Sequence, residues 1–184
     1  MPGYPIEPDK LLDAAERLAP AQVGRGRPPY TAHRRAVSTA YYAAFHAITE
    51  RVAGLAFSHA DATLRQRVRR WIAHADISTV CRWVSGLQGT GSYGVPAHIR
   101  ALLTPPGRPS NIDADTVTIA DGFLELHEKR LEADYDHEAV FTRSDTRATI
   151  ALARQLVSLV GTAGSSQAEI FFGLVAMHAQ VRSR

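Results

Sequence analysis

His33-Arg34-Arg35-Ala36-Val37-Ser38-Thr39-Ala40-Tyr41-Tyr42-Ala43-Ala44-Phe45-His46-Ala47 is the stretch on which the reading of the chain turns. Val37, Tyr41, Phe45, Ile48 and Val52 follow one another at steps of four, four, three and four, which makes one apolar stripe on a helix. Ala36, Ala40, Ala43, Ala44 and Ala47 fill its flanks, and such small side chains let neighbouring helices approach closely. The pattern predicts a central helix from near Thr31 to about Val52, closed by Gly54.

The same period continues outward from it. A first helix is expected from Pro8 to Leu18, ended by Pro20, with a loop from Gly24 to Pro29. Between Ala60 and Leu87, Leu64, Val68, Trp71, Ile72 and Ala75 form one face, and Asp76 or Ser78 can cap a restart that carries Val80, Trp83, Val84 and Leu87. Residues 86–110 are rich in Gly, Pro, Ser and Thr and read as a long loop broken by a short helix near Ala97 to Leu103. Asn111 or Asp113 caps the next helix, which carries Val117, Ala120, Phe123, Leu124, Leu126 and Leu131 to about Tyr135. Ser144 is expected to cap a helix with the stripe Ile150, Ala153, Leu156, Val157 and Val160. Ser165 or Ser166 starts a C-terminal helical extension, about 165–182, with Ile170, Phe171, Leu174, Val175 and His178. No stretch alternates with the two-residue period of a strand, so the expected fold is all-α, a single-domain bundle of five to seven helices over 1–184.

Composition narrows the function classes. The 184 residues are 45% hydrophobic and 21% charged, which excludes collagen-like, coiled-coil and disordered chains. No apolar run reaches ~18 residues, so no membrane span is expected. The Pro-rich, acidic start from Met1 to Lys10 lacks the apolar core of a secretory signal. Cys81 is the single cysteine, so no internal disulfide can form and no structural zinc set is present; a reducing cytoplasmic location follows. Cys81 itself reads as a buried or half-buried helix residue beside Val80 and Val84, without a catalytic role. Twenty-one Lys+Arg against eighteen Asp+Glu give +3, which permits a polyanionic partner without requiring one. Lysine occurs only at Lys10 and Lys129, and the Arg preference suits phosphate recognition but follows more simply from a compositional bias. No phosphate-cradling Gly-rich loop sits between a strand and a helix, and no Ser stands in a nucleophile elbow.

A second string, Arg130-Leu131-Glu132-Ala133-Asp134-Tyr135-Asp136-His137, closes a late helix, and the Thr146-to-Val160 helix follows it. Together with Ala40-Tyr41-Tyr42-Ala43-Ala44-Phe45-His46-Ala47, it resembles the HEPN superfamily, all-helical domains of prokaryotic toxin–antitoxin and defence systems. The resemblance runs from about Thr31 to Val160. It implies a HEPN-like bundle, a homodimer with two motifs facing each other, and a metal-independent endoribonuclease that needs no cofactor and acts as a toxin or defence effector on RNA. Ribonucleases of that family carry an Arg, four to six residues, then a His, and six residues stand between Arg130 and His137. Arg27/His33, Arg69/His74 and Arg67/His74 have comparable spacings, but only Arg130/His137 falls where the family places its motif. Leu131 stands where active relatives usually have a polar residue. The resemblance therefore also implies a second possibility, a non-catalytic module that binds a nucleotidyltransferase-type antitoxin or a nucleotide. A purely structural helical dimer is a third.

The chemistry asked of these residues is definite. RNA cleavage without metal needs a group that moves a proton at the 2′-OH or leaving oxygen, which a His near neutrality can do. It also needs a cation at the phosphorane, which an Arg fork supplies. On a regular helix Arg130 and His137 would be ~10 Å apart along the axis, so the helix must end near Tyr135 or a second copy must contribute. Asp134 and Tyr135 would then arrange the helix end. Each residue also has an ordinary reading: Arg130 pairing with Asp134, His137 as a surface cation, Tyr135 as packing, His46 as a hydrogen-bonded interior histidine. Ser38, Tyr42 and His46 share a face at four-residue steps and can line the same cleft. Arg65, Arg67, Arg69 and Arg70 form either a solvated face or an RNA-steering patch.

Overall fold

Ala36, Ala40, Ala43 and Ala44 are wholly buried, and through them the second helix becomes the axis around which the others pack. The computed structural model describes residues 6–19, 30–89, 94–104 and 111–182. Within them lie α1 (Pro8–Leu18), α2 (Tyr30–Ala56), α3 (Ala62–Arg69), α4 (His74–Gln88), α5 (Ala97–Leu103), α6 (Ala114–Tyr135), α7 (Arg143–Thr162) and α8 (Ser166–Arg182), with no strand among the described residues. The expected loop from Gly24 to Pro29 lies outside the described residues, as do 90–93 and 105–110 of the long loop.

α2 packs against α1, α3, α6, α7 and α8. Val37, Tyr41, Phe45, Ile48 and Val52 are all buried, as the stripe predicts. Burial continues round the alanine faces, so α2 is a core helix and not a surface one. Gly54 does not close it: the helix runs to Ala56, and Phe57 N–H still donates to the Ala53 carbonyl at 3.1 Å. A glycine in a last turn costs too little to stop a helix whose hydrogen bonds continue.

Among the described residues the bundle has eight helices where five to seven were expected, because the segment from Ala60 to Leu87 divides. Asp61 caps α3 by accepting from Leu64 N–H at 2.7 Å. The chain then tightens, with Arg70 and Trp71 N–H bonded to the Arg67 and Val68 carbonyls. Val68 and Ile72 turn inward, but Leu64 is 41% and Trp71 53% exposed, so the expected single face is split. α4 restarts at His74, two to four residues before the expected caps. Asp76 instead occupies the third helical position, where its buried carboxylate accepts from Ala73 N–H at 2.7 Å and from His178 Nδ1 of α8 at 2.9 Å.

Asp113 caps α6 through Thr116 N–H at 2.9 Å. Thr142 rather than Ser144 caps α7, since its hydroxyl accepts from Asp145 N–H while the Asp145 carboxylate accepts from Thr142 N–H, the reciprocal arrangement of a capping box. Ser165 caps α8 by accepting from Ala168 N–H at 3.0 Å. α8 buries Phe171, Phe172 and Val175 against α2 and α4, so its stripe belongs to the same core as the rest. Leu131, counted with the α6 stripe, is 40% exposed. Cys81 is fully buried, and burial pushes its thiol well above the ordinary range.

Candidate functional site

The C-terminal end of α6 is held against α2 by one arginine. Helix ends leave carbonyls without intrahelical donors. Arg34 of α2 supplies them: Nε donates to the Ala133 carbonyl at 2.7 Å, and Nη2 donates to Glu132 at 3.2 Å and Asp136 at 2.7 Å. Its Nη1 reaches past the helix to the Ala139 carbonyl at 3.2 Å and to the Tyr30 hydroxyl at 3.0 Å. Beneath this fork Val37, Ala133 and Phe141 form a small apolar cluster of their own. The Asp136 carboxylate folds the following turn by accepting from Glu138 N–H at 2.9 Å and Ala139 N–H at 3.3 Å. Beside it, buried His33 meets the Thr146 hydroxyl through Nδ1 at 3.0 Å. That hydroxyl already donates to the Thr142 carbonyl, so Nδ1 must carry the proton.

A cleft of about 400 Å³ opens at this junction, lined by Thr31, Arg35, Ser38, Tyr42, Asp134 and Tyr135 among others. The Arg130 Nε and Asp134 Oδ2 approach to 2.8 Å. Arg130 Nε has no hydrogen-bond acceptor, so this contact is an ion pair in which the N–H misses the oxygen. Arg130 Nη2 donates to the Tyr42 hydroxyl at 3.2 Å, and Ser38 donates to Asp134 Oδ2 at 3.3 Å. The guanidinium carbon lies 5.3 Å from the Tyr135 ring centroid, 5.8 Å from Tyr42 and 6.0 Å from Tyr41. Burial opposes the Arg130 charge, but the Tyr42 hydroxyl and the Asp134 carboxylate outweigh it and keep the group protonated.

Arg130, Asp134, Tyr135, Ser38 and Tyr42, predicted separately on two helices, therefore come together. His137 does not join them. It is exposed in the turn after α6 and shares no hydrogen bond, ion pair or ring contact with any of the five. His46 lies on the far side of Tyr42, with ring centroids 6.4 Å apart. Arg65, Arg67 and Arg69 are on α3, and Arg70 follows its end; Arg67 and Arg70 are exposed, while Arg65 and Arg69 are half-buried. Arg67 and Arg69 occupy the last turn, where cations favour the helix dipole.

Sequence reasoning missed Arg34, His74 and His127. The partners of Arg34 are about a hundred positions away, and no spacing reveals them. His127 had a visible signal, one helical turn before Arg130, whereas His74 is brought in only by the packing of α4 on α6. Among the described residues no group of three or more His, Cys, Asp or Glu is placed to hold a metal ion, and no helix is long and apolar enough to cross a membrane. No family model matches the chain, and neither a curated protein nor a solved structure matches it.

Proposed function

We propose that the chain is a HEPN-type RNA-binding protein that cleaves RNA without metal, as a toxin or defence effector of the cytoplasm. The observation that carries this reading is the convergence of Arg130, Asp134, Ser38 and Tyr42 at the place where α6 stops. Arg130 is the cation for the phosphorane, and its ion pair with Asp134 aims it while leaving Nη1 for a phosphate oxygen. The 2′-oxygen attacks phosphorus and loses its proton, the bond to the 5′-oxygen breaks, and that oxygen takes up a proton. The product ends are a 2′,3′-cyclic phosphate, which attack by water can open to a 3′ phosphate, and a 5′-hydroxyl. His137 is the proton carrier in this scheme. Because it stands apart from Arg130 in one chain, a second copy is needed to bring a His137 to the cleft, which makes the homodimer part of the mechanism.

The same separation favours a second reading. With Arg130 tied to Asp134 and Tyr42, and His137 exposed, the protein can instead be a non-catalytic module that binds a nucleotidyltransferase-type partner or a nucleotide.

Incubation of the purified protein with total RNA, with and without a chelator, tests the first reading. Cleavage should survive chelation, and Arg130→Ala and His137→Ala should each lower it by about 10²–10⁴-fold. A mixture of the two inactive variants should regain activity if the site is built from two chains. Magnesium-dependent cleavage, or full activity in His137→Ala, rules the mechanism out. No cleavage by the wild type leaves the non-catalytic reading.

A further inference from the structure

Three histidines that the cleft chemistry does not use gather behind Tyr42. His46 belongs to α2, His74 is the first residue of α4, and His127 precedes Arg130 on α6. The His74 ring lies 4.1 Å from Phe45 and 5.8 Å from Tyr42 between centroids. His46 packs edge-on to Phe45 at 5.3 Å, and His127 lies 5.6 Å from Tyr41. Tyr41, fully buried, meets His74 Nδ1 through its hydroxyl at 2.6 Å and makes no other hydrogen bond among the described residues. Burial holds it as a phenol, and a buried phenol needs an acceptor for its proton. Nδ1 is the only acceptor within reach, so His74 carries its own proton on Nε2.

These rings are not sealed. His46, His74 and His127 are each half-buried, so part of each residue meets solvent. The charged groups that face them come from every neighbouring helix. Arg69 of α3 faces His46, Arg130 faces His74 and His127, and Arg82 of α4 with Glu128 of α6 faces His127. Three guanidinium groups thus surround three imidazoles, with Glu128 beside His127 and Asp134 paired to Arg130. Burial first, then these cations and the neighbouring imidazoles, hold all three rings neutral, with His46 down at about 4.

We infer that His46, His74 and His127 form a phosphodiester-binding face over Arg130, which carries a nucleic-acid strand from the cleft across Tyr42 to the arginines of α3. This rests on the RNA-binding half of the function proposed above and not on cleavage. Tyr42 is the shared wall: it lines the cleft, accepts from Arg130 and packs against both His46 and His74. Arg69, beyond His46, joins the face to the arginine patch that the sequence places apart from the cleft. N–H donors backed by guanidinium charge suit phosphate oxygens, and the imidazole and phenol rings offer stacking surfaces for bases. A phosphate arriving among neutral imidazoles favours their protonated form, so their titration midpoints rise on binding.

Histidine side-chain NMR tests this, with a short oligodeoxynucleotide, which lacks the attacking 2′-OH, and with inorganic phosphate alone. The His46, His74 and His127 signals should shift saturably with the oligonucleotide, and their titration midpoints should rise. The triple variant His46→Gln/His74→Gln/His127→Gln should lose about tenfold in affinity. Circular dichroism confirms that this variant is folded; if it is not, the three single variants read by the same shifts decide the matter. Shifts confined to His137, or no shift at all, overturn the proposal, as does equal affinity of wild type and triple variant. Phosphate that shifts the rings while the oligonucleotide does not overturns it too, leaving a small-anion site. RNA cleavage without these shifts sinks this proposal alone, and these shifts without cleavage sink the ribonuclease reading alone.

Discussion

His46 is a half-buried histidine whose charged form the fold opposes. Burial, then Arg69 and His74, bring it from the ordinary 6.5 down to about 4. In the unfolded chain it titrates near its ordinary value, so between about 6.5 and about 4 the unfolded state binds more protons than the folded one. Its contribution is therefore intact above that window and is lost as pH falls through it. His74 and His127 are shifted in the same direction, burial being the first cause of each. Urea midpoints measured through the window should fall with acidification, and His46→Gln should flatten part of that slope. A variant with the slope of the wild type would show that His46 is not held neutral by the fold.

At the scale of elements, α2 works as a scaffold whose arginines close other helices. Arg34 takes four carbonyls at and beyond the end of α6, and Arg51 donates to the Ala163 carbonyl at the end of α7 at 2.8 Å while its guanidinium lies 6.0 Å from the Phe172 ring. Bonds from a charged donor to helix-end carbonyls are worth more than neutral ones. Arg34→Ala should cost about 2–3 kcal/mol in chemical denaturation. It should also speed hydrogen exchange at Asp136 and Ala139, because the turn loses its anchor. Arg34→Lys should recover only a fraction, since one ammonium cannot reproduce a planar fork directed at several oxygens. Wild-type exchange at the turn in Arg34→Ala would show that Phe141 packing alone holds it.

For the molecule as a whole, the contact between α6 and α7 sets how closely the site helix lies on the core. Gly122 permits it: a Cβ there would come within 2.6 Å of Leu156 Cδ1, and Leu156 is itself wholly buried. Gly122→Val should therefore cost about 1–3 kcal/mol through overpacking, more than the better helix propensity of Val returns. A thermal midpoint at or above the wild-type value would mean that Leu156 repacks without strain. Because α6 carries Arg130 and Asp134, the same variant should disturb the Ser38–Asp134 bond made across to α2.

The all-helical class, the central place of α2 and the burial of its stripe were legible in the sequence, because a period of 3.6 and a run of alanines are local properties. The Arg130–Asp134 pair was equally legible, being four residues apart on one helix. Caps were legible only in part: Asp113 and Ser165 fell where expected, while Thr142 and Ala73 displaced Ser144 and Asp76, since where a helix starts depends on which face can be buried. Tertiary structure alone decided that Tyr42 meets Arg130 and Ser38 meets Asp134, that Arg34 closes α6, that His137 stands clear of the cleft and that His74 joins His46 and His127. These relations join residues far apart in the chain, and their energies arise only when packing removes the groups from water and brings donors to their acceptors.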